Sequence, residues 1–348
     1  MKNTTIKTAT LLIMASLTLC GCNTGKDTVI GKCTEALNSG DYSTAVSLTN
    51  EVIGKSDDDK SLYRLRGIGE LGESKFDEAL NDFKASLMLS NGLVNAVDID
   101  TSYYLAVAEY RSGNISDCLA TLDAIISISP KQADAYFLRG KVKLSTEDTA
   151  SAIEDFDKTL ALAPANYDYY VEIYEELSGA GLSDEATGYL DRALSASGKI
   201  SDSAKGIIEY YKGNYTDARN DLENAKKSTD DDNTVLYLAR TYEALGDISY
   251  AQSLLESMCS SQNASGRLFN ELAYIKMNQK DYTGALEVIN AGLTANDGEG
   301  KKGLMFNHIV ALENTGDFAA AKDAMAEYLE LYPDDETALR ENTFLESR

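Results

Sequence analysis

The 348-residue sequence has few of the residues on which most catalytic and metal sites depend. It contains one histidine, no tryptophan, three prolines and five cysteines. A single histidine excludes metal sites built from several histidines and argues against a histidine-based catalytic triad. Five cysteines are too few for a disulfide-stapled secreted module. Past residue 21 there is no phosphate-binding loop, dinucleotide-binding glycine motif or zinc-type cysteine pair, so we expect no enzymatic activity, cofactor or metal.

Basic side chains are also scarce. There are 32 Lys and Arg against 56 Asp and Glu, which gives a formal net charge of −24. A surface of this charge repels phosphate, so the composition predicts no nucleic-acid partner and weakly favours basic partners or divalent cations. Two acidic runs, at 56–60 and 229–233, lack the full EF-hand spacing and its terminal glutamate. We interpret both runs as helix starts.

The first 21 residues contain no acidic side chain and differ from the rest of the chain. Lys2 and Lys7 precede a mostly apolar run at 9–19, which is the plan of a secretory signal. The run is shorter than the roughly 20 residues that span a bilayer. Cys20 and Cys22 close this segment, and three readings compete for them: a metal or redox pair, the start of a disulfide framework, or a processing signal.

The stretch Leu19-Cys20-Gly21-Cys22 resembles the lipobox of bacterial lipoproteins. The resemblance implies that residues 1–21 are a signal peptide and that Cys22 carries two or three lipid chains as the mature N-terminus. Residues 22–25 then form a short tether, and the protein is lipid-anchored to the bacterial cell membrane or envelope, outside the cytoplasm. The alternative is an ordinary cleaved signal with an incidental cysteine.

A six-residue phrase recurs along the remaining sequence and ends each time on a small residue. The intervals between these small residues are 34, 39, 34, 34, 32, 33, 34 and 36 residues. The longest interval places an insertion near 90–98. The phrase occurs at 40–45, 74–79, 113–118, 147–152, 181–186, 213–218, 246–251, 280–285 and 316–321.

Other positions follow the same period. A small residue often lies twelve before the end of the phrase, and Tyr or Phe often lies three before it. Pro130, Pro164 and Pro333 each lie twelve after it, where a proline ends a helix. With a period near 34, the sequence resembles an array of tetratricopeptide repeats.

The resemblance implies an all-α solenoid, a right-handed superhelix of about nine helix-turn-helix repeats over 26–335, with a C-terminal cap helix at 336–348. Small residues are expected where the two helices of a repeat touch, which makes Cys33 and Cys118 buried thiols. His308 falls inside a first helix and is interpreted as structural. The approximate repeat spans are 26–59, 60–93, 99–132, 133–166, 167–198, 199–231, 232–265, 266–299 and 302–335.

In this family the first helix of each repeat lines a concave groove. We therefore expect a scaffold that binds a peptide or protein partner, and that touches the membrane through its lipid. The alternatives are a glycan- or ligand-binding lipoprotein and a structural spacer. The positions that match the family's groove residues are Arg64, Tyr103, Tyr110, Lys141, Arg240, Asn270 and Tyr274.

Overall fold

The computed structural model describes residues 25–347 except 54–58, 91, 93, 197–198, 230, 262–263, 295–299 and 334. The predicted signal peptide, Cys22 and most of the predicted tether lie outside the described residues. Within them there are 19 helices and no strand, so the all-α prediction is confirmed. None of the described helices is long and apolar enough to cross a membrane.

The helices follow one another in nine pairs, and a single helix ends the chain. We call the members of each pair the first and the second helix. The pairs are α1 (Gly25–Asn38) and α2 (Tyr42–Ile53), α3 (Lys60–Gly72) and α4 (Phe76–Met88), α5 (Ala96–Arg111) and α6 (Ile115–Ile128), α7 (Ala133–Ser145) and α8 (Thr149–Leu162), α9 (Tyr167–Gly179) and α10 (Ser183–Ser195), α11 (Asp202–Tyr211) and α12 (Tyr215–Lys226), α13 (Asp232–Ala244) and α14 (Ile248–Cys259), α15 (Gly266–Asn278) and α16 (Tyr282–Thr294), and α17 (Lys301–Thr315) and α18 (Phe318–Leu331); the last helix is α19 (Glu336–Glu346).

Internal contacts divide the chain into two compact units. Apart from Asn38–Gly40, the first unit contains α1 to α10 and the second contains α11 to α19. In each unit a helix packs mainly against its neighbours in the sequence. This is the local packing of a repeat protein, in which each repeat completes the core of the next.

One left-handed residue closes the turn inside each pair. It is glycine in six pairs, and its φ angle lies between 71° and 85°. In the other three pairs it is Ser74, Glu147 or Lys280, with φ between 60° and 65°. A side chain at such an angle is strained, so the recurrent glycine of the phrase is explained by the turn that it makes.

The aspartate that follows the turn caps the second helix in five pairs. In each case its carboxylate accepts a hydrogen bond from the backbone N–H three residues on, which satisfies an otherwise unpaired donor. Asn114 and Asn214, which occupy the same place in two other pairs, make no such side-chain bond. The capping residues are Asp41, Asp148, Asp247, Asp281 and Asp317.

Small residues lie where the helices of a pair touch. All nine residues that end the phrase are at most 1% exposed, from Ala45 to Ala321. Cys33 and Cys118 are buried as expected, and the Cys33 thiol donates to the carbonyl of Ala45 at 3.8 Å. Burial raises the pKa of the Cys118 thiol to about 12, so both cysteines serve the packing.

In the second and fourth pairs, a glycine of the first helix faces a phenylalanine of the second helix. A Cβ added to Gly67 would lie 2.8 Å from Phe83, and one added to Gly140 would lie 2.7 Å from Phe156. The third pair has Ala106 and Leu122 at the equivalent positions, and both belong to one buried cluster. Alanine in this first-helix position thus occurs with a side chain smaller than phenylalanine.

Gly140→Ala should destabilise the protein by about 1–2 kcal/mol. The new methyl group collides with the Phe156 ring, an overpacking cost of about 1–3 kcal/mol, and this exceeds the gain of about 1 kcal/mol from replacing a helical glycine. The double variant Gly140→Ala/Phe156→Leu should recover most of the loss, because it copies the alanine–leucine combination of the third pair. Urea unfolding measures both, and a double variant no more stable than the single one would refute the size matching.

Ion pairs connect the two helices of the second, fourth and sixth pairs, and in each of them the aspartate is the more buried partner. In each, a basic residue of the first helix meets an aspartate 16 residues later on the second helix, with N–O distances from 2.5 to 3.1 Å. Breaking such a pair leaves a charge buried without a counter-ion. The pairs are Arg66–Asp82, Arg139–Asp155 and Lys205–Asp221.

Three further interpretations from the sequence concern the acidic runs, His308 and the C-terminal helix. Asp59 caps α3 and Asp231 caps α13, so the acidic runs do start helices. His308 is half-buried in α17, and burial lowers its pKa, which agrees with a structural role. Helix α19 buries Ala338 and Leu345 against α17 and α18 and closes the core of the second unit.

Candidate protein-binding surface

Polar contacts join the first helix of one pair to the first helix of the next. In the first unit Arg64 pairs with Asp100, and Lys141 Nζ lies 2.8 Å from Glu176 Oε1. These partners are 36 and 35 residues apart, which is one repeat. Two of the predicted groove residues are therefore engaged with an acid on the neighbouring first helix.

The second unit repeats this arrangement at its own predicted residues. Arg240 donates through Nε and Nη2 to Glu271 Oε2, at 2.8 and 2.6 Å. Asn307 donates through its amide nitrogen to Asn270 Oδ1 at 2.9 Å. Asn270 and Glu271 both lie on α15, so the two contacts join this first helix to α17 and to α13, the first helices on either side of it in the sequence.

The predicted groove residues of the first unit are mostly buried. Arg64, Tyr103 and Lys141 are each less than 10% exposed, and the Arg64 guanidinium lies 5.4 Å from the Tyr104 ring. Tyr103 belongs to a core cluster, and Tyr110 packs against it half-buried. In this unit these side chains fasten the helices and add little open surface. Their contact with a partner stays a prediction.

The corresponding residues of the second unit are more open. The Arg240 side chain is 33% exposed, and Tyr274 is 50% exposed. The Arg240 guanidinium stacks over the Tyr237 ring at 5.5 Å, and the hydroxyl groups of Tyr237 and Tyr211 are 2.6 Å apart. Tyr237 itself is buried, at 8% exposed, and supports the more open Arg240. We call this group the tyrosine surface: Tyr211, Tyr237, Arg240, Asn270 and Tyr274.

The sequence predicted three members of the tyrosine surface and missed two. Arg240, Asn270 and Tyr274 were named as candidates. Tyr211 was not named although it occupies the thirteenth position of its repeat span, which is a groove position of the family, whereas Tyr237 does not match a groove position in our register. Tyr210 and Tyr211 end α11 as a doublet, and the Tyr237 ring lies 5.4 Å from the first and 5.6 Å from the second. The doublet was the available signal for an aromatic site at this point.

A carboxyl group with a raised pKa borders the tyrosine surface. Burial, followed by the nearby carboxylate of Glu271, raises the pKa of Glu243 from 4.5 to about 7. In the first unit, burial likewise raises the pKa of Glu172 to about 7, although Lys141 opposes the shift. Glu243 therefore adds negative charge beside the tyrosine surface as the pH rises through neutrality.

Glu243→Gln should change how stability depends on pH. In the wild type the folded state keeps a proton between pH 4.5 and about 7 that the unfolded state has released. The contribution of Glu243 to the free energy of unfolding is therefore fully present below pH 4.5 and is lost as the pH rises to about 7. Because the group is partly exposed, we expect the fall to be about 1–2 kcal/mol. Urea unfolding at pH 5 and pH 8 measures it, and an equal fall in the glutamine variant would contradict this assignment.

Tetratricopeptide repeat models match residues 103–167 in the first unit and 304–335 in the second. No curated protein sequence matches the chain significantly.

Similar solved structures include three helical-repeat chains. Yeast Tom70 is 15% identical, with 91% of this chain and 80% of that chain covered and a TM-score of 0.53. A tetratricopeptide repeat protein from Parabacteroides merdae ATCC 43184 is 16% identical, with coverages of 82% and 98% and a TM-score of 0.44. MamA (41-end) from Desulfovibrio magneticus RS-1 is 17% identical, with coverages of 50% and 96% and a TM-score of 0.42.

At such low identity the likeness to Tom70 concerns the fold. The family models identify the repeats in both units, and the helix pairs, left-handed turns and buried small residues recur at the same period between and around the matched segments. The chain is a tetratricopeptide repeat protein.

Proposed function

We propose that this chain is a lipid-anchored scaffold of the bacterial cell envelope that binds a segment of a partner protein on the tyrosine surface. Proteins of this repeat family bind protein partners. The observation that carries the proposal is the half-exposed Tyr274 on α15, the helix whose Glu271 holds the partly exposed Arg240 of α13. Tyrosine and arginine are among the residues that most often dominate protein interfaces.

The geometry of Arg240 favours binding because the side chain is already ordered. Its bonds to Glu271 and its stacking on Tyr237 fix the guanidinium before a partner arrives. Ordering a long side chain during binding costs about 0.5–1.5 kcal/mol of free energy. The Arg240 side chain is already ordered in the folded protein, so binding does not have to supply this free energy. Pre-ordered aromatic and guanidinium groups therefore suit the recognition of a peptide segment.

The charge of the surface restricts its partner. Glu271 neutralises Arg240, and Glu243 adds negative charge above pH 7. The whole chain is strongly acidic as well. A partner segment with few acidic residues, neutral or basic, therefore fits best.

Tyr274→Ala tests the surface, and Tyr250→Ala is its matched control. Tyr250 is similarly exposed, at 47% against 50%, but lies on the second helix α14. Quantitative crosslinking in membranes should recover the partner about 10- to 30-fold less from Tyr274→Ala, the loss expected for an interface anchor. Equal recovery from both variants would rule the tyrosine surface out.

Cys22→Ser tests the anchor separately. The variant should leave the membrane fraction or accumulate as the unprocessed chain, because its cysteine can no longer be lipidated. Fractionation and intact mass measure this directly. Unchanged processing and membrane retention would remove the anchor from the proposal and leave the binding surface untouched.

A further inference from the structure

An exposed apolar patch lies at the insertion between the second and third pairs. Met88 is 84% exposed, Ile128 is 56% exposed and Val94 is 54% exposed, which is high for side chains of this size. Leu89 and Val97, both 38% exposed, complete the group. We call these five residues the junction patch.

A cavity of about 380 Å³ opens at the junction patch. Its walls are mostly apolar, and Val94 and Ile128 line it together with Leu87, Ile99 and Ile125. The cavity therefore lies between the end of α4, the start of α5 and the end of α6, and the junction patch meets it at Val94 and Ile128. Solvent-exposed apolar area of this kind marks an interaction surface.

The polar groups beside the cavity are already satisfied. Lys60 Nζ lies 2.9 Å from Asp98 Oδ1, and the Ser90 hydroxyl donates to the same oxygen at 2.5 Å. The other oxygen of Asp98 accepts from the backbone N–H of Asn95 at 3.0 Å. Because Lys60 and Asp98 already neutralise each other, apolar matter is the ligand that this patch fits.

The position of the patch in the fold suggests what covers it. In an antiparallel pair, the start of the first helix and the end of the second helix share one edge. The Ser86 hydroxyl near the end of α4 donates to the carbonyl of Lys60 at the start of α3, at 2.8 Å. All five residues of the junction patch lie at helix ends or loops on this edge of the first unit.

The chain also enters the first unit on this edge. Helix α1 begins at Gly25, which is three residues after Cys22. Three extended residues reach roughly 10 Å, so a lipid on Cys22 holds the start of α1 close to the bilayer. The start of α5 is two first helices further along the same edge, roughly 20 Å at a helix spacing of 8–10 Å.

We infer that the junction patch rests on the membrane surface beside the lipid anchor. The inference depends on the proposed lipidation of Cys22 and adds a second, non-covalent contact that orients the first unit. The contact is apolar, and the acidic body opposes it on anionic lipid. Raising the salt concentration therefore strengthens the contact on anionic vesicles, the reverse of what a basic patch shows.

Tryptophan fluorescence can test this because the chain has no tryptophan of its own. Met88→Trp places a reporter in the patch. Ser116→Trp places a matched reporter at an exposed position in the first turn of α6, on the opposite edge. The lipidated full-length chain is incorporated into phosphatidylcholine vesicles with brominated acyl chains. Emission from Trp at 88 should be blue-shifted and largely quenched, whereas emission from Trp at 116 should be unaffected.

The possible outcomes separate the inference from the proposed function. If the protein floats with the vesicles but position 88 is not quenched, the membrane contact is overturned and the anchor stands. If the unquenched position shifts to the blue only when envelope proteins are added, the patch binds a protein and the inference is wrong. If the protein does not float, the anchor and the inference both fail. Circular dichroism of both variants checks that the fold is retained.

Discussion

Arg66→Met should lower the free energy of unfolding by about 3–5 kcal/mol, the loss expected when one partner of a buried ion pair is removed. Arg66 donates to both carboxylate oxygens of Asp82, at 2.5 and 2.7 Å, and to Asn50 on the preceding second helix at 2.8 Å. Asp82 is 4% exposed. Without the guanidinium, Asp82 stays buried beside Glu70, another acid, whose pKa burial and Asp82 already raise.

A second substitution shows whether the buried charge causes the loss. Arg66→Met/Asp82→Leu removes both charges, and an apolar replacement of a buried pair is often neutral or stabilising. The double variant should therefore be clearly more stable than Arg66→Met alone. Lys75→Met is the control, because Lys75 pairs with Glu73 at the surface and such a pair contributes about 1 kcal/mol or less. Urea unfolding followed by circular dichroism ranks the three variants, and a double variant as unstable as the single one would contradict this account.

Phe83→Ala should cost about 3–5 kcal/mol, because it empties a fully buried site. Phe83 is 0% exposed, touches Gly67 of α3 from its own helix α4, and stacks on Tyr104 of α5 with ring centroids 5.8 Å apart. The ring thus holds three consecutive helices. Removing it weakens the contact within one pair and the contact with the next.

Hydrogen exchange can locate this loss along the chain. Amides of α3, α4 and α5 should lose protection most, since each repeat contacts chiefly its neighbours. Phe344→Ala is the control, because Phe344 lies at the surface of α19, and it should change stability by less than about 1 kcal/mol. A loss of protection in α7 and α8 equal to that in α3 to α5 would contradict the local role of the ring.

Much of the fold could be predicted because its constraints are local. Ala152 lies where two helices touch, so it must be small. Gly113 lies in the turn between two helices, so it must adopt a left-handed φ angle. These demands recur once per repeat and leave a period that can be counted. The insertion near 90–98 was visible as the longest interval, but α5 begins at Ala96, inside the predicted insertion, and takes up part of it with its 16 residues.

The properties of the surface were harder to predict because they depend on neighbours one repeat away. Position in the repeat put Arg64 and Arg240 in first helices, and their place in a groove stays a prediction. It could not show that Arg64 is buried against Asp100 and Tyr104 while Arg240 remains a third exposed. The exposure of each arginine depends on the side chains that the following repeat places against it. The exposed patch around Met88 was missed for the same reason, since it arises from three helix ends that are distant in sequence.

The most direct test of the proposed scaffold function is site-specific photocrosslinking at position 274 in intact cells. A benzoylphenylalanine placed there replaces one half-exposed aromatic side chain by another, and the same substitution at Tyr250 is the control. The scaffold function predicts a discrete crosslinked protein at position 274 that is absent at position 250 and is lost when Arg240→Glu is added. Crosslinks that are the same at both positions, or none at position 274, would contradict it.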